Sequence, residues 1–195
     1  MKQLKFMHIT KTGGTAIEES AKACGVMWGQ YDSTLVQKYT LNGIPKHGPI
    51  TKLSNKRLYL KLKDQYDWFV VVRNPYERVV SAANYYKTYL DQYKSLDIMT
   101  CVKMYLESNV FGSLPATDYV YYNGQQIVKH ILRFENLEYD FNNLMTKYNL
   151  NISLLKDINV SKKFMTVKDL TPNFIDLINT RYHDDFVNFG YQKIN

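Results

Sequence analysis

The sequence predicts an α/β fold in which a central, mainly parallel sheet is flanked by helices. Two patterns support this prediction. Short apolar runs alternate with longer segments in which apolar residues recur at helical spacing. One run, Trp-Phe-Val-Val-Val at residues 68–72, is continuously apolar, which is typical of a strand buried on both faces. Alternating strands and helices favour parallel strands joined by helical crossovers.

The first half of the chain predicts two strand–helix units separated by a loop rich in glycine and proline. Long loops in compact domains are more often functional than idle. In chain order, the predicted elements are a strand at 4–9, a helix at 15–24 capped by Gly25, a loop at 29–50, a weak helix at 51–62, a strand at 68–72 and a helix from Pro75 to about Leu90.

The second half continues the alternation and ends in a helix. Its predicted elements are a helix at 96–110, a strand at 127–134, an amphipathic helix at 136–148, a polar stretch at 149–169 and a helix at 172–189 that ends at Gly190. The chain contains no internal repeat, low-complexity tract or linker. We therefore expect one domain over residues 1–195.

Composition and charge indicate which class of molecule we expect the protein to bind. The 195 residues include 25 Lys or Arg and 18 Asp or Glu, for a formal net charge of +7. A basic protein favours anionic ligands such as nucleotide phosphates or acidic glycans. No dense run of Lys and Arg is present, which argues against a nucleic-acid partner.

The cysteines and the apolar segments bear on localisation. Cys24 and Cys101 are the only cysteines, so there is neither a disulfide framework nor a metal-binding spacing. The N-terminus lacks the apolar core of a signal peptide, and no segment has the apolar length of a membrane span. These features predict a soluble, cytoplasmic protein without a bound metal.

A glycine-containing turn after the first strand predicts a phosphate site. Lys11-Thr12-Gly13-Gly14-Thr15 lies between a strand and a helix, where backbone N–H groups and the helix dipole attract anions. The segment resembles a P-loop, although its lysine precedes the glycines and the upstream glycine is missing. Taken alone, this turn is equally compatible with a plain strand–helix connection.

A second phosphate site is predicted where the strand at 68–72 ends. Arg73 follows this strand, and Ser81 is eight residues further on, about two helical turns away. A guanidinium and a hydroxyl on one side of the helix can bind one phosphate. Arg78 either reaches the same ligand or stabilises the fold through a nearby carboxylate, and we favour the structural role.

These segments resemble the sulfotransferase family, in particular carbohydrate sulfotransferases and their small bacterial relatives. Residues 8–15, His-Ile-Thr-Lys-Thr-Gly-Gly-Thr, match a family motif with Thr10 in place of its usual proline. Residues 72–81 match Val-Arg-Asn-Pro-Tyr-x-Arg-x-x-Ser completely. Three later segments, at 132–141, 159–162 and 182–191, also resemble the family, so the likeness follows the chain in order.

The resemblance implies a P-loop-like three-layer fold and 3′-phosphoadenosine 5′-phosphosulfate (PAPS) as donor of a sulfuryl group. It places the 5′-phosphosulfate on Lys11, Thr12, Gly13, Gly14 and Thr15. It places the 3′-phosphate on Arg73 and Ser81. Lys162 and Lys163, which follow an Asn-Val-Ser turn, either close over the nucleotide or form a solvated lysine pair. The products would be 3′,5′-ADP and a sulfate ester of a hydroxyl acceptor, which the resembling branch suggests is a saccharide.

Catalysis of this kind needs charge stabilisation and a base. Lys11 is predicted to neutralise the charge that develops on the leaving oxygen, without a metal. His47 is the candidate base, because imidazole titrates near neutrality and the residue lies in the long loop. A water-exposed loop histidine explains His47 equally well. His8 is expected to pack against the turn or orient it.

Two other functions remain open at this point. A non-catalytic nucleotide-binding module would keep the pocket without turnover. An atypical P-loop nucleotide kinase is disfavoured, because the usual lysine spacing and a clear magnesium aspartate are both missing.

Overall fold

The computed structural model describes residues 2–33, 35, 48–52, 56–108, 110–156, 158 and 160–195, without the side chains of residues 56–59 and 111. Its contacts divide the chain into two compact units. The first unit comprises Met1–Val72 and Ala116–Ile158, and the second comprises Arg73–Pro115 and Asn159–Asn195. Each unit has its own hydrophobic core. The expectation of one domain over residues 1–195 stays a prediction.

The described residues form short strands and helices. The strands are β1 (Leu4–Phe6), β2 (Asp67–Val72), β3 (Tyr121–Tyr122), β4 (Gln125–Gln126) and β5 (His130–Arg133). The helices are α1 (Gly14–Ala23), α2 (Lys56–Gln65), α3 (Pro75–Tyr89), α4 (Ile98–Glu107), α5 (Thr117–Val120), α6 (Leu137–Lys147), α7 (Pro172–Arg181) and α8 (His183–Phe189). None of these described helices has both the length and the apolar composition that crossing a membrane requires.

The first unit contains a three-stranded sheet in the order β1–β2–β5, and both strand pairs are parallel. Phe6 pairs with Phe69, and Phe69 pairs with His130 on the other side. All six residues of β2 are buried, as expected for the central strand. The prediction of a parallel sheet accompanied by helices is confirmed, and the carboxyl ends of the three strands meet at one edge.

The core of the first unit lies between this sheet and two helices. Phe69 and Val71 of β2 pack with Ile17 of α1 and Phe141 of α6, and all four side chains are fully buried. The Trp28 ring meets Phe69 edge-on, with 5.0 Å between the ring centroids. Because α1 and α6 both pack on this core, the turns that precede them are held against the carboxyl edge of the sheet.

The second unit is helical, and α3 and α4 contribute most of its core. Val79 and Val102 have no exposed surface, and Ile178 of α7 packs with them. The start of α3 follows from its sequence. The Asn74 side chain accepts a hydrogen bond from the Tyr76 N–H at 3.0 Å, and proline occupies the first helical position. The predicted helix from Pro75 is therefore confirmed.

The single helix predicted at 172–189 is wrong, because α7 and α8 are separate helices. Tyr182, which lies between them, has φ −107° and ψ 25°, outside the helical range. Its ring is buried, and its hydroxyl donates to the Ser113 carbonyl at 3.0 Å. The break lets this ring enter the core. The predicted end at Gly190 is confirmed by its left-handed φ of 65°.

The hairpin formed by β3 and β4 was not among the predicted elements. Its two-residue turn is Asn123-Gly124, and both residues have positive φ, 49° and 74°. Asn-Gly is the strongest short sequence signal for such a turn. The flanking strands have only two residues each, so the surrounding pattern gave no strand signal.

Candidate functional site

A tight turn connects β1 to α1 and contains the first group of candidate residues. Lys11 and Gly13 both adopt the left-handed conformation, with φ of 63° and 81°. This conformation costs a residue with a Cβ about 1 kcal/mol, so Lys11 is held there by its surroundings. The Gly13 carbonyl accepts from the Ala16 N–H at 3.1 Å and begins the helix. Lys11 and Thr15 are half-buried.

The electrostatics at the start of α1 favour an anion. The helix has ten residues and no acidic residue in its first turn. Its positive dipole end is therefore not neutralised by its own side chains. Lys11, Thr12 and Gly13 belong to this turn, and Gly14 and Thr15 are the first two residues of α1.

The Thr12 side chain belongs to the turn itself. It has no exposed surface, and its hydroxyl donates to the Ile9 carbonyl at 2.7 Å. This hydrogen bond joins the turn to the chain segment that follows β1. The predicted contact between Thr12 and a phosphate therefore depends on its backbone N–H rather than on its hydroxyl.

A buried histidine–carboxylate pair lies beneath the turn. His8 Nδ1 is 3.0 Å from Glu18 Oε1, and the side chains are 8% and 0% exposed. The same carboxylate oxygen accepts from the Gln30 N–H at 3.0 Å. The expectation that His8 packs against the turn is confirmed. Glu18 was missed, because the adjacent Glu19 is chemically identical and only tertiary packing distinguishes them.

Gly14 is required by the position of the His8 ring. A Cβ on Gly14 would lie 2.2 Å from His8 Cδ2, far inside van der Waals contact. A Cβ on Gly13 would lie 2.9 Å from the Leu137 side chain, in addition to the cost of its left-handed backbone. The two glycines therefore allow the turn to pack closely on Phe134, Leu137 and His8.

The second group of candidate residues is in the second unit. Arg73 immediately precedes the capping residue of α3, and its guanidinium lies 3.5 Å from the Glu77 carboxylate. Ser81 is half-buried in the second turn of the helix. Both residues are thus on or next to the first two turns of α3.

The segment at 160–165 is tied to the same face of α3 as Ser81. Asn84, three residues after Ser81, accepts from the N–H groups of Phe164 and Met165 at 2.9 and 3.1 Å. Thr88, four residues later, accepts from the Lys162 N–H at 3.2 Å. Helical periodicity places Ser81, Asn84 and Thr88 in one row. The Lys162 side chain itself is exposed.

Arg78 has a structural role in the second unit. It is 1% exposed, and it donates to the carbonyls of Leu114 at 2.8 Å and Gly112 at 3.1 Å. Its guanidinium also lies over the Tyr182 ring, 5.9 Å from the centroid. These contacts fit the interpretation favoured from the sequence, although their acceptors are backbone carbonyls rather than the expected carboxylate.

The remaining candidate, His47, lies outside the described residues, so its role as a base stays a prediction. The first group of residues belongs to the first unit, and Arg73, Ser81 and Lys162 belong to the second. Their predicted convergence on one nucleotide also stays a prediction. Within the described part of the chain, no three His, Cys, Asp or Glu side chains form a group suited to a metal ion.

We compared the sequence with models of protein families and with curated proteins, and neither comparison found a match.

Proposed function

We propose that this protein is a PAPS-dependent sulfotransferase with a P-loop-like fold. It would transfer a sulfuryl group to an acceptor hydroxyl, with a saccharide as the expected acceptor. The observation that carries the proposal is the turn between β1 and α1. It combines a lysine and a glycine in left-handed conformation with a helix whose first turn has no acidic residue.

The sequence of this turn makes the proposal more specific than a general anion site. The order Lys-Thr-Gly-Gly-Thr at 11–15, followed by Arg73 directly after β2 and Ser81 within α3, resembles the sulfotransferase pattern. The parallel pairing of β1 with β2 supports it, because both strands end at the edge where open α/β sheets bind ligands.

Each residue has a distinct task in the proposed reaction. Backbone N–H groups at 13–15 hold the nonbridging oxygens of the donor, and the Lys11 ammonium stabilises the negative charge on the bridging oxygen. Arg73 and Ser81 hold the 3′-phosphate. Lys162, which emerges from the segment tied to α3, adds positive charge near that phosphate.

The chemical step is an in-line displacement at sulfur. The acceptor oxygen forms a bond to sulfur, and the bond from sulfur to the bridging oxygen of the 5′-phosphate breaks. The acceptor proton passes to a base, for which His47 is the candidate, and 3′,5′-ADP leaves. No change of oxidation state occurs, so no redox partner is needed.

Ligand-induced thermal stabilisation tests the nucleotide specificity. A ligand that binds only the folded protein raises the melting temperature, and at equal concentration a tighter ligand raises it more. We expect 3′,5′-ADP to raise it clearly, and 5′-AMP, which lacks the 3′-phosphate, to raise it much less. Stabilisation by ATP–Mg²⁺ but not by 3′,5′-ADP would favour a nucleotide kinase and overturn the proposal.

Two substitutions separate nucleotide binding from folding. Lys11→Gly removes the ammonium and the cost of a left-handed Cβ together, so the unliganded protein should still fold. Its stabilisation by 3′,5′-ADP should nevertheless be lost. Lys168→Ala, at an exposed lysine outside the candidate site, is the matched control and should keep it.

Turnover distinguishes an enzyme from a binding module. Sulfate transfer from labelled PAPS to a glycan panel, followed by mass spectrometry, should give a sulfated product with the wild type. His47→Ala should lower the rate without lowering the stabilisation by 3′,5′-ADP. Nucleotide binding without transfer to any acceptor would instead indicate a non-catalytic module.

A further inference from the structure

Residues 160–165 lie along α3 within the second unit, and we call them the α3 strap. At one end, the Tyr89 hydroxyl donates to the Val160 carbonyl at 2.9 Å. At the other end, the Asn84 side chain accepts from the Met165 N–H at 3.1 Å. The residue numbers of the strap rise while those of its partners on α3 fall, so the strap runs antiparallel to the helix.

The Asn84 amide makes three hydrogen bonds to the backbone of the strap. Its oxygen accepts from the N–H groups of Phe164 and Met165 at 2.9 and 3.1 Å, and its nitrogen donates to the Met165 carbonyl at 2.9 Å. Asn84 is 6% exposed, and Met165 packs in the core of the unit. A carboxylate has no N–H to donate and an apolar side chain has neither group, so these contacts require an amide.

The Thr88 hydroxyl fixes the middle of the strap. It accepts from the Lys162 N–H at 3.2 Å and donates to the Asn84 carbonyl at 2.7 Å. Thr88 and Asn84 are four residues apart, so they lie on one face of α3. Ser81 is three residues before Asn84 and belongs to the same face. The helix face that holds the strap therefore also carries a candidate ligand of the 3′-phosphate.

The rise of the helix determines which end of the strap is close to Ser81. At 1.5 Å per residue, Asn84 lies about 4.5 Å along the axis from Ser81, and Thr88 lies about 10.5 Å from it. Lys163 precedes the strap residue whose N–H first bonds to Asn84, so its backbone is at the end close to Ser81. A lysine has a flexible four-carbon stem, so its ammonium can cover the distance of one helical turn.

The charge of the strap and of the helix beside it favours an anion. Residues 81–90 and 160–165 contain three lysines and no Asp or Glu. Lys162 and Lys163 are both exposed, and no described residue forms an ion pair or a hydrogen bond with either ammonium. Their positive charge is therefore available to a ligand.

Neighbouring carboxylates do not cancel this charge. Three carboxylates of the second unit are close to these stretches in the chain, and each has a partner. They are Glu77 with the Arg73 guanidinium at 3.5 Å, Asp91 with the Lys94 ammonium at 2.6 Å, and Asp169 with the Thr166 N–H at 2.7 Å. The negative end of the α3 dipole is confined to the last turn of the helix, away from its middle.

We propose that Asn84 and Thr88 are positioning residues for nucleotide recognition. The strap that they hold places Lys163 beside Ser81, where its ammonium contacts the 3′-phosphate. This inference rests on the proposed function. It assigns part of the preference for a 3′-phosphate to the contacts between the strap and α3, in addition to the contacts of Arg73 and Ser81.

The test compares the dissociation constants of 5′-AMP and 3′,5′-ADP, measured by isothermal titration calorimetry on the full chain. The ratio of the two constants reports recognition of the 3′-phosphate, since the two ligands are otherwise identical. A variant that only loosens the fold changes both constants together and leaves the ratio as it was. The ratio therefore separates positioning from ordinary structural anchoring.

The lysine variants test the contact with the phosphate. Lys163→Ala should lower the ratio about tenfold, because one charge-assisted contact with the 3′-phosphate is lost. Lys168→Ala removes an exposed lysine that lies beyond the strap, and it should keep the ratio of the wild type.

The positioning residues have matched variants of their own. Thr88→Val replaces the hydroxyl by a methyl group of similar size and should lower the ratio about threefold, whereas Thr88→Ser keeps the hydroxyl and the ratio. Asn84→Ala removes three hydrogen bonds and should lower the ratio further. Val102→Ala creates a cavity in the same core, so it should lower the melting temperature and leave the ratio unchanged.

The outcomes that contradict the inference are specific. A wild-type ratio in Lys163→Ala or in Thr88→Val would overturn it. A fall of the ratio in Lys168→Ala or Val102→Ala as large as that in Lys163→Ala would also overturn it, because the effect would not depend on the strap. If Asn84→Ala does not fold, the two Thr88 variants decide the positioning role.

The wild type tests the proposed function separately. Tighter binding of 3′,5′-ADP than of 5′-AMP supports the proposed function even where the strap variants keep that preference, a result that removes only the inference. Equal binding of the two nucleotides by the wild type, or no binding of either, would overturn the sulfotransferase proposal and the inference with it.

Discussion

His8 and Glu18 form a buried pair, with Nδ1 of the histidine 3.0 Å from Oε1 of the glutamate, directly beneath the turn that carries Lys11. The pair connects the segment after β1 to the second turn of α1. Glu18 also accepts from the Gln30 N–H, so one carboxylate joins three parts of the first unit. The shape of the candidate anion site therefore depends on the contact between His8 and Glu18, which lies within the protein and involves no ligand.

Replacing Glu18 tests this dependence. Glu18→Ala leaves the buried His8 nitrogen and the Gln30 N–H without their acceptor. We expect a loss of about 3 kcal/mol in the free energy of unfolding, measured by urea denaturation. Glu107→Ala, at an exposed glutamate, is the control and should change it by less than about 0.5 kcal/mol. Similar losses in the two variants would contradict the structural role of Glu18.

Gly14 should tolerate no side chain while His8 is present. Gly14→Ala places a Cβ 2.2 Å from the ring, which should cost about 2 kcal/mol or more. Gly25→Ala is a useful comparison, because its φ is 75° but its Cβ would meet nothing within 4 Å. Backbone strain alone should cost it about 1 kcal/mol. The variants are compared by chemical denaturation.

A double variant shows whether the clash is the cause. In the background of His8→Ala, the added cost of Gly14→Ala should fall to nearly zero, because the ring is gone. Additive effects of the two substitutions would mean that another contact restricts Gly14.

Substitution of Arg78 and of Arg73 should have different effects, the first on stability and the second on nucleotide binding. Arg78→Ala removes two hydrogen bonds from a buried guanidinium to backbone carbonyls and should lower the free energy of unfolding by about 3 kcal/mol. Arg73→Ala loses an ion pair with a half-exposed glutamate, a contact that contributes about 0.5 kcal/mol or less. It should instead abolish the thermal shift caused by 3′,5′-ADP. A strong shift in Arg73→Ala would contradict the second phosphate site.

Acid should destabilise the first unit through a hydrogen-bonded network around the buried Asp67, at the amino ends of β2 and β5. The Asp67 carboxylate accepts from Lys129 and from the Tyr148 hydroxyl, each at 2.8 Å, and that hydroxyl is 2.8 Å from His130 Nε2. Burial would raise the pKa of Asp67, but the hydrogen bonds from Lys129 and Tyr148 outweigh it and leave the pKa lowered. Burial and the charges of Lys147 and Lys129 lower the pKa of His130.

Both lowered pKa values make the folded protein less stable as the pH decreases. A group whose pKa is lower in the folded state takes up protons more readily when unfolded, so stability falls as the pH decreases. The decrease should begin near pH 6.5 for His130 and continue below pH 3.8 for Asp67, since these are their ordinary pKa values. Denaturation curves across this range check it. In His130→Asn the first decrease should disappear; its persistence there would assign it to another group.

Much of the fold could be predicted because its signals are local. The apolar run at 68–72 has no polar position to expose, so it became the central strand β2. Pro75 and the capping Asn74 determine the start of α3 from neighbouring residues alone. The Asn123-Gly124 turn is also a local signal, although no hairpin was predicted there.

The composition of the two candidate groups was likewise visible in the sequence. Charged and small residues that follow parallel strands lie at the edge where open α/β sheets bind ligands, so the sequence predicts a ligand site there. The break at Tyr182 was not visible, because the residues on both sides favour a helix and the cause is a distant contact with Ser113.

Local sequence patterns were enough to predict a parallel sheet accompanied by helices, the lysine–glycine turn and the arginine that follows β2. These features depend on residues close together in the chain. Three features depend instead on packing between distant segments: Glu18 rather than Glu19 is buried, Gly14 makes room for His8, and Arg78 donates to backbone carbonyls. Burial depends on which distant segments pack together, and neighbouring residues of the same type carry no record of that packing.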